Sequence, residues 1–167
     1  MSCARTSIRF FMFAFGGMLG EVMYGAIRAG WNGHWNLHGQ SSPWMMLDYG
    51  LMGLVLMPMA VRLKQAHLPL PARAFAYMLV IYAVEYVSGI FFTHVLGLRV
   101  WSYEGIPYNL HGQIMLYSAP VWYFLGLAGE YLYAKADAVA VLWLRGFTAD
   151  QLLKMPLPPD ENEAMVR

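Results

Sequence analysis

Four long stretches of the chain are dominated by apolar residues, and shorter polar segments separate them. These stretches cover about residues 7–29, 42–61, 74–97 and 113–134. A helix that crosses a bilayer needs about 20 mostly apolar residues, and each stretch is long enough. The pattern therefore predicts an all-α, polytopic membrane protein whose residues 1–135 form a bundle of four transmembrane helices.

The chain becomes more polar after residue 135, which predicts a separate cytoplasmic or interfacial tail over 136–167. Residues 136–144 are apolar but too few to cross a bilayer, so they either prolong the fourth helix or lie in the membrane interface. Thr148 and Gln151 have the spacing of a capping box, which predicts one short cytoplasmic helix. Residues 160–167 are expected to fray.

The Lys and Arg residues near the ends of the stretches predict the orientation, because cytoplasmic loops are enriched in them. Both termini and the loop near residue 67 are therefore expected in the cytoplasm, and loops 30–41 and 98–112 outside. The chain is expected to be integral to the inner cell membrane. One side holds Arg5, Arg9, Arg62, Lys64, Arg73 and Lys135, and the other holds Arg28 and Arg99.

The composition narrows the class of protein further. Hydrophobic residues make up 59% of the 167 residues and charged ones only 13%, whereas soluble domains carry about 25% charged residues. The net charge of +1 leaves no basic face for nucleic acid, so the expected surroundings are a lipid bilayer. A single cysteine, Cys3, excludes an internal disulfide and a cysteine zinc site.

The chain also contains an internal repeat. Residues 35–40 read WNLHGQ and residues 108–113 read YNLHGQ, an offset of 73. Upstream, Glu21-x-x-x-Gly25 matches Glu85-x-x-x-Gly89 at an offset of 64. The sequence predicts two helix–loop–helix repeats, about 7–61 and 74–134, related by a pseudo-twofold axis along the membrane normal. Downstream, Trp44 and Tyr49 correspond to Tyr117 and Trp122.

Glu21 and Glu85 are the principal candidate binding residues. A carboxylate at membrane depth costs about 2.5–3.5 kcal/mol even on insertion scales, so each should face protein or water. We expect them to face each other near the pseudo-axis and to share a proton or a cation. In the alternative interpretation, each hydrogen-bonds a neighbouring helix and only holds the bundle together.

Two further carboxylates have structural interpretations. Asp48 is expected to pair with Arg28 or to cap a loop. Glu130 is expected at a solvated helix end with Lys135 close by.

The two outer loops and the helix starts after them carry more hydrogen-bonding side chains than an aromatic belt needs, which favours a polar vestibule. A haem or copper bound by His38 and His111 is the alternative for these loops. The methionines do not cluster beside these histidines, so we expect no cofactor and no metal. The candidate binding residues here are Asn36, Trp44, Tyr49, Trp101, Tyr103 and Asn109.

Several motifs resemble one family of small multi-pass membrane proteins. They are Glu85-Tyr-Val-Ser-Gly89, Trp101-Ser-Tyr103 and the run from Pro107 to Ile114. They resemble the signature of the CmpB-type ABC-transporter permeases, which have vertebrate relatives with serial transmembrane-protein names. The resemblance covers about 15–135 and implies a permease that works with a nucleotide-hydrolysing partner. Ser102 stands where that family usually has Asp, so any role of that carboxylate is lost.

Three functions compete. The first is a permease-like subunit or a pathway for an ion or small solute, which uses the buried carboxylates and acts as a homo-oligomer or with a partner membrane subunit. The second is a non-catalytic accessory subunit of a larger membrane complex. The third is a membrane enzyme that acts on lipid; it ranks lowest because the sequence has no catalytic motif of such enzymes, and we name no catalytic residue.

Overall fold

The structure, a computed structural model, describes residues 2–156. Most of these residues are helical. Helix α1 covers Ser2–Trp31, α2 Met45–Gln65, α3 Leu70–Ile90, α4 Ala119–Arg145 and α5 Ala149–Leu153. A π-helical turn over Phe91–Val95 extends α3, and a 3-10 turn over Leu116–Ser118 leads into α4. The loops that join α1 to α2 and α3 to α4 are called the first and second outer loops, after the side that the sequence predicts for them. The second contains a small antiparallel ribbon in which β1, Asn109–Leu110, pairs with β2, Ile114–Met115.

Three helices are long and apolar enough to cross a membrane. They are α1 from Cys3 to Trp31, α2 over Met45–Gln65, and α3 together with its π-helical turn, Leu70–Val95. Helix α4 has 27 residues, but its charged residues around position 130 interrupt the apolar pattern, and it is not among the three. The prediction of a mostly helical membrane protein is confirmed, with three candidate spans in the described part of the chain.

The helices pack mainly in sequential pairs. Helix α1 packs most extensively on α2, and α3 on α4; α1 also touches α4, and α2 touches both α3 and α4. The core lies where α2 and α3 meet, with Leu56, Ala60 and Tyr77 buried. Helix α2 therefore contacts each of the other three long helices.

Glycines make this close packing possible. A Cβ atom at Gly53 would lie 3.0 Å from the Phe13 Cβ atom, and one at Gly126 would lie 2.5 Å from the Tyr77 Cβ atom. Small residues at helix interfaces let backbones approach in membrane proteins. These glycines therefore set the separation of α1 from α2 and of α3 from α4.

Ion pairs tie together the end of the bundle at which α1 begins. The Asp137 carboxylate accepts hydrogen bonds from Arg5 and Arg9, the latter at 2.7 Å. The expectation for Glu130 is wrong: it is buried rather than solvated. Its carboxylate pairs with Lys64 at 2.7 Å and Arg73 at 3.1 Å.

Of the two alternatives for residues 136–144, the structure has the extension of the fourth helix. Residues 136–144 prolong α4, which ends at Gly146 in the left-handed conformation that favours glycine, φ 67°. The capping box is confirmed, because the Thr148 hydroxyl accepts from Gln151 N and the Gln151 side chain accepts from Thr148 N. The expected fraying of 160–167 lies outside the described residues.

Candidate functional site

The first candidate carboxylate, Glu21 of α1, is part-buried and accepts two hydrogen bonds. The Ser41 hydroxyl of the first outer loop donates to Glu21 Oε2 at 2.7 Å, and the Tyr49 hydroxyl of α2 donates to the same atom at 3.1 Å. The Tyr49 ring lies directly on Gly17, one turn before Glu21, where any Cβ atom would overlap it. The glycine therefore lets the Tyr49 hydroxyl reach the carboxylate.

The first outer loop descends along α1 to deliver Ser41. A Cβ atom at Gly39 would lie 1.9 Å from the Val22 carbonyl oxygen, and one at Gly25 would lie 3.2 Å from the Gly39 Cα atom. Only glycine permits such an approach of two backbones. This explains the glycine four residues after the first glutamate: it makes room for the loop that holds the carboxylate.

The second candidate carboxylate, Glu85 of α3, is also part-buried and is held in a similar way. The Tyr103 hydroxyl of the second outer loop donates to Glu85 Oε1 at 2.8 Å, and the Trp122 indole of α4 donates to Oε2 at 3.2 Å. Burial raises the pKa of the Tyr103 hydroxyl, and the Glu85 charge raises it further. The hydroxyl therefore keeps its proton and stays a donor.

The second outer loop packs on Gly89, four residues after its glutamate. A Cβ atom at Gly89 would meet Gln113 Oε1 at 2.2 Å and the Trp101 ring at 3.1 Å. The Trp101 indole N–H donates to the Gln113 carbonyl oxygen at 2.9 Å, which fixes the ring in the loop. In both halves the Glu-x-x-x-Gly motif thus combines a carboxylate with a glycine on which the following loop packs.

Aromatic rings connect the two halves near the outer loops. The Trp44 ring at the start of α2 lies edge-on to Phe92, with centroids 5.7 Å apart, and Phe92 lies edge-on to Trp101 at 5.9 Å. Trp44 and Trp101 are therefore brought together through Phe92 and act in packing.

The repeated asparagines have different positions. Asn109 is part-buried, and its amide donates to Ile106 O and accepts from Gly112 N, so both of its groups brace its own loop. Asn36 is exposed in the first loop. The backbone differs as well, because the first copy has one left-handed residue, Leu37, whereas Tyr108, His111 and Gly112 are left-handed in the second.

The two repeated histidines each have a local partner. A ring nitrogen of His38 is 2.8 Å from the Gln40 amide, and His111 Nδ1 is 2.8 Å from the Tyr86 hydroxyl. Within residues 2–156, no group of three or more His, Cys, Asp and Glu lies close enough to hold a metal ion.

The expected pairing of Asp48 with Arg28 is wrong. Asp48 is buried in the first turns of α2, with 7% of its surface exposed, and neither of its carboxylate oxygens has a hydrogen-bond partner among the described residues. Arg28 is exposed near the end of α1. Asp48 instead lies beside Ser88 of α3 and interacts electrostatically with Glu85.

Tyr49 connects the two carboxylate sites. Besides its bond to Glu21, it interacts electrostatically with Glu85, and Tyr103 likewise interacts with both glutamates. Each glutamate nevertheless takes its hydrogen bonds from its own half of the chain, so the expectation that they share a proton or a cation stays a prediction.

Two donors are absent from the candidate residues chosen from the sequence. Trp122 was identifiable, because it corresponds to Tyr49 at the offset of 73 that relates the two NLHGQ motifs. Ser41 gave no comparable signal, since its counterpart at that offset is Ile114. Ser41 reaches Glu21 because the first outer loop packs closely along α1. The pattern of apolar and polar residues does not show how closely a loop packs on a helix.

No solved structure matches the chain. The sequence matches the family described as "Putative ABC-transporter type IV" over residues 8–148, which includes all of the site residues above. The chain belongs to this family.

Proposed function

We propose that this chain is a permease-type membrane subunit that provides a polar pathway for a small ion or solute, with Glu21 and Glu85 as its binding groups. One observation carries the proposal: each part-buried carboxylate receives one donor from an outer loop and one from the following long helix. Carboxylates inside a membrane protein commonly mark ion and proton pathways.

The proposal includes a duplicated fold. Phe13 and Tyr77 differ by the offset of 64, Gly53 and Gly126 by that of 73, and each aromatic ring packs on the glycine of its own half. The same arrangement at corresponding positions is expected when two halves descend from one unit.

A contact between α2 and α4 supports a pseudo-twofold axis that relates the two halves. Leu56 of α2 and Gly129 of α4 correspond at the offset of 73, and a Cβ atom at Gly129 would lie 2.9 Å from Leu56 Cδ1. A residue that touches its own counterpart lies on the axis relating the two. The pseudo-twofold axis is therefore proposed to pass between α2 and α4, with α4 as the fourth crossing.

The proposed orientation places the ion-paired end of the bundle in the cytoplasm. That end carries Arg5, Arg9, Lys64 and Arg73, in agreement with the positive-inside rule. The outer loops with Ser41 and Tyr103 then face the outside of the inner membrane, where solute would reach the carboxylates.

Membership of an ABC-transporter family implies a nucleotide-hydrolysing partner, because the chain has no phosphate-binding loop of its own.

An open face of α1 favours the second candidate function, an accessory subunit that packs against a larger membrane protein. Cβ atoms at Gly16 and Gly20 would meet nothing within 4 Å, so this spacing leaves room for another helix.

The proposal is tested in proteoliposomes by following proton and cation flux with fluorescent indicators under an imposed potential. Flux through the wild-type chain should be lost in Glu21→Gln and in Glu85→Gln, with helicity and elution unchanged. Glu104→Gln is the matched control, because Glu104 is exposed and pairs with Arg99. Unchanged flux in both glutamate variants would contradict the role of the carboxylates. A wild-type chain that passes no ion would favour the accessory subunit.

A further inference from the structure

The segment that leads into α4 ends beside the middle of α3 and not at the outer end of that helix. The Tyr82 hydroxyl of α3 donates to the Met115 carbonyl oxygen at 3.0 Å and is 3.3 Å from the Leu116 carbonyl oxygen. The same hydroxyl is 3.2 Å from the hydroxyl of Ser118, the residue immediately before α4. The start of α4 is therefore level with Tyr82.

Two helices give the same depth for this point in the membrane. The proposed cytoplasmic boundary lies at the ion pair of Arg73 with Glu130, which joins α3 to α4 at 3.1 Å. Tyr82 follows Arg73 by nine residues, and Glu130 follows Ala119 by eleven. These helical lengths are about 14 Å and about 16 Å. The apolar core of a bilayer is about 30 Å thick, so both lengths place the start of α4 about halfway across it.

The outer half of this crossing is therefore left to residues 107–118, which form the ribbon of the second outer loop and the turn before α4. Backbone at membrane depth must find its hydrogen-bond partners within the protein, because lipid offers none. This segment meets that condition over most of its length. Its carbonyl oxygens that accept from a described donor are those of Tyr108, Leu110, Gly112, Gln113, Met115 and Leu116.

Charge is distributed unevenly along the second outer loop. The part before residue 107 carries Arg99 and Glu104, which are both exposed and pair at 2.8 Å. Residues 107–118 contain no Asp, Glu, Lys or Arg. Their single histidine, His111, has its Nδ1 atom 2.8 Å from the Tyr86 hydroxyl of α3. The first part of the loop thus suits water, whereas the second part carries no fixed charge that lipid would oppose.

Exposed apolar side chains cover residues 107–118 and continue onto α4. Leu116 is 56% exposed and Tyr117 is 59% exposed, and the Tyr117 ring lies edge-on to Tyr108 with centroids 5.7 Å apart. The exposed apolar residues that follow on α4 are Val121, Phe124 and Leu125. A surface that continues from a crossing helix without a charged residue has the same neighbour as that helix, which is the acyl chains of the lipid.

We propose that residues 107–118 form a re-entrant segment that completes the outer half of the fourth crossing, and that Leu110, Leu116 and Tyr117 contact the acyl chains of the outer leaflet. The inference rests on α4 as the fourth crossing in the proposed function. It goes further, because it makes the outer half of that crossing a loop. The short apolar part of α4 before Glu130 is then sufficient, since the loop spans the remaining depth.

The test measures the depth of nitroxide spin labels in liposomes, using the full chain with Cys3→Ser and one introduced cysteine. Oxygen concentrates in lipid and a nickel chelate stays in water, so the ratio of their collision rates with a label reports its depth. Leu116→Cys should give a ratio at least as high as Val87→Cys, on the exposed side of α3. Val95→Cys, at the outer end of α3, should give a lower ratio.

Glu104→Cys is the matched control from the same loop, because Glu104 is exposed and should collide mainly with the nickel chelate. Tyr117→Cys is a second test position, so one poorly folded variant does not decide the result. A ratio at both positions as low as that of Glu104→Cys would overturn the re-entrant segment. Few collisions with either reagent at both positions would show that protein, such as a second copy of this chain, covers the segment, and would overturn the lipid contact.

Depth and flux fail separately, because a label reports its depth whether or not the chain conducts. A deep label at Leu116→Cys in a chain whose wild-type form passes no ion would overturn the proposed pathway and leave the re-entrant segment standing. Flux that depends on both glutamates, together with a label in water at Leu116→Cys, would overturn the re-entrant segment alone.

Discussion

Alanine at Gly126 should force α3 and α4 apart, because the added methyl group has no space. Its Cβ atom would lie 2.5 Å from the Cβ atom and 3.4 Å from the Cγ atom of Tyr77. The Tyr77 Cβ atom is fixed to the α3 backbone and cannot swing aside, so a helix must move in a closely packed interior. Overpacking of this kind costs about 1–3 kcal/mol of the free energy of unfolding.

Gly16→Ala is the control that isolates this cost. A Cβ atom at Gly16 meets nothing within 4 Å. Both substitutions gain about 1 kcal/mol of helix propensity, and the difference between the two variants is the clash itself. Gly53→Ala should fall between them, because its Cβ atom would lie 3.0 Å from the Phe13 Cβ atom.

The assay is unfolding of the purified chain in mixed micelles with increasing sodium dodecyl sulfate, followed by circular dichroism. The midpoint should fall in the order Gly16→Ala, Gly53→Ala, Gly126→Ala. A Gly126→Ala variant as stable as Gly16→Ala would refute the packing of α3 on α4 described above.

Three further predictions concern the ion pairs, the topology and the first outer loop. Arg73→Gln should lower the free energy of unfolding in the same assay more than Lys64→Gln does, because the Arg73 side chain is largely covered and donates two hydrogen bonds to the Glu130 carboxylate, whereas the Lys64 side chain is mostly exposed. Equal losses would contradict this ranking. In a chain without its native cysteine, a cysteine at Asn32 should react with an impermeant reagent from outside and one at His67 should not; the reverse pattern would overturn the orientation. Gly39→Ala should reduce flux in proteoliposomes to the level of Glu21→Gln, because the added Cβ atom would overlap a carbonyl oxygen of α1. A variant with wild-type flux would show that close packing of the first outer loop on α1 is not needed.

The helices were predictable from sequence because their signals are local. Each of the four apolar stretches overlaps one of the helices α1 to α4, although α4 begins later and ends later than the predicted 113–134, and the capping box of α5 is where its spacing places it. The burial of Glu130 was not predictable, because its partners Lys64 and Arg73 come from other helices and only the packed bundle brings them near.

The site was predictable in part. The repeat identified Glu21 and Glu85, since each motif recurs at a fixed offset, and Tyr49 was among the candidate binding residues, although its contact with Glu21 was not predicted. The role of Ser41 depends on a loop that descends onto α1, and Asp48 is left unpartnered by the way α2 packs on α3. Contacts between segments that are far apart in the chain produce no repeating pattern in the sequence, so they could not be predicted from it.

The central claim is that the two carboxylates work through equivalent donors, Tyr49 for Glu21 and Trp122 for Glu85. Ion flux in proteoliposomes tests it most directly when the donors are changed and both glutamates are kept. Tyr49→Trp and Trp122→Tyr each place the other half's donor at the same position, and both variants should retain flux. Tyr49→Phe and Trp122→Phe remove the donor, keep an aromatic ring, and should lose most of the flux while the chain stays folded. Phe variants as active as the wild-type chain would contradict the claim.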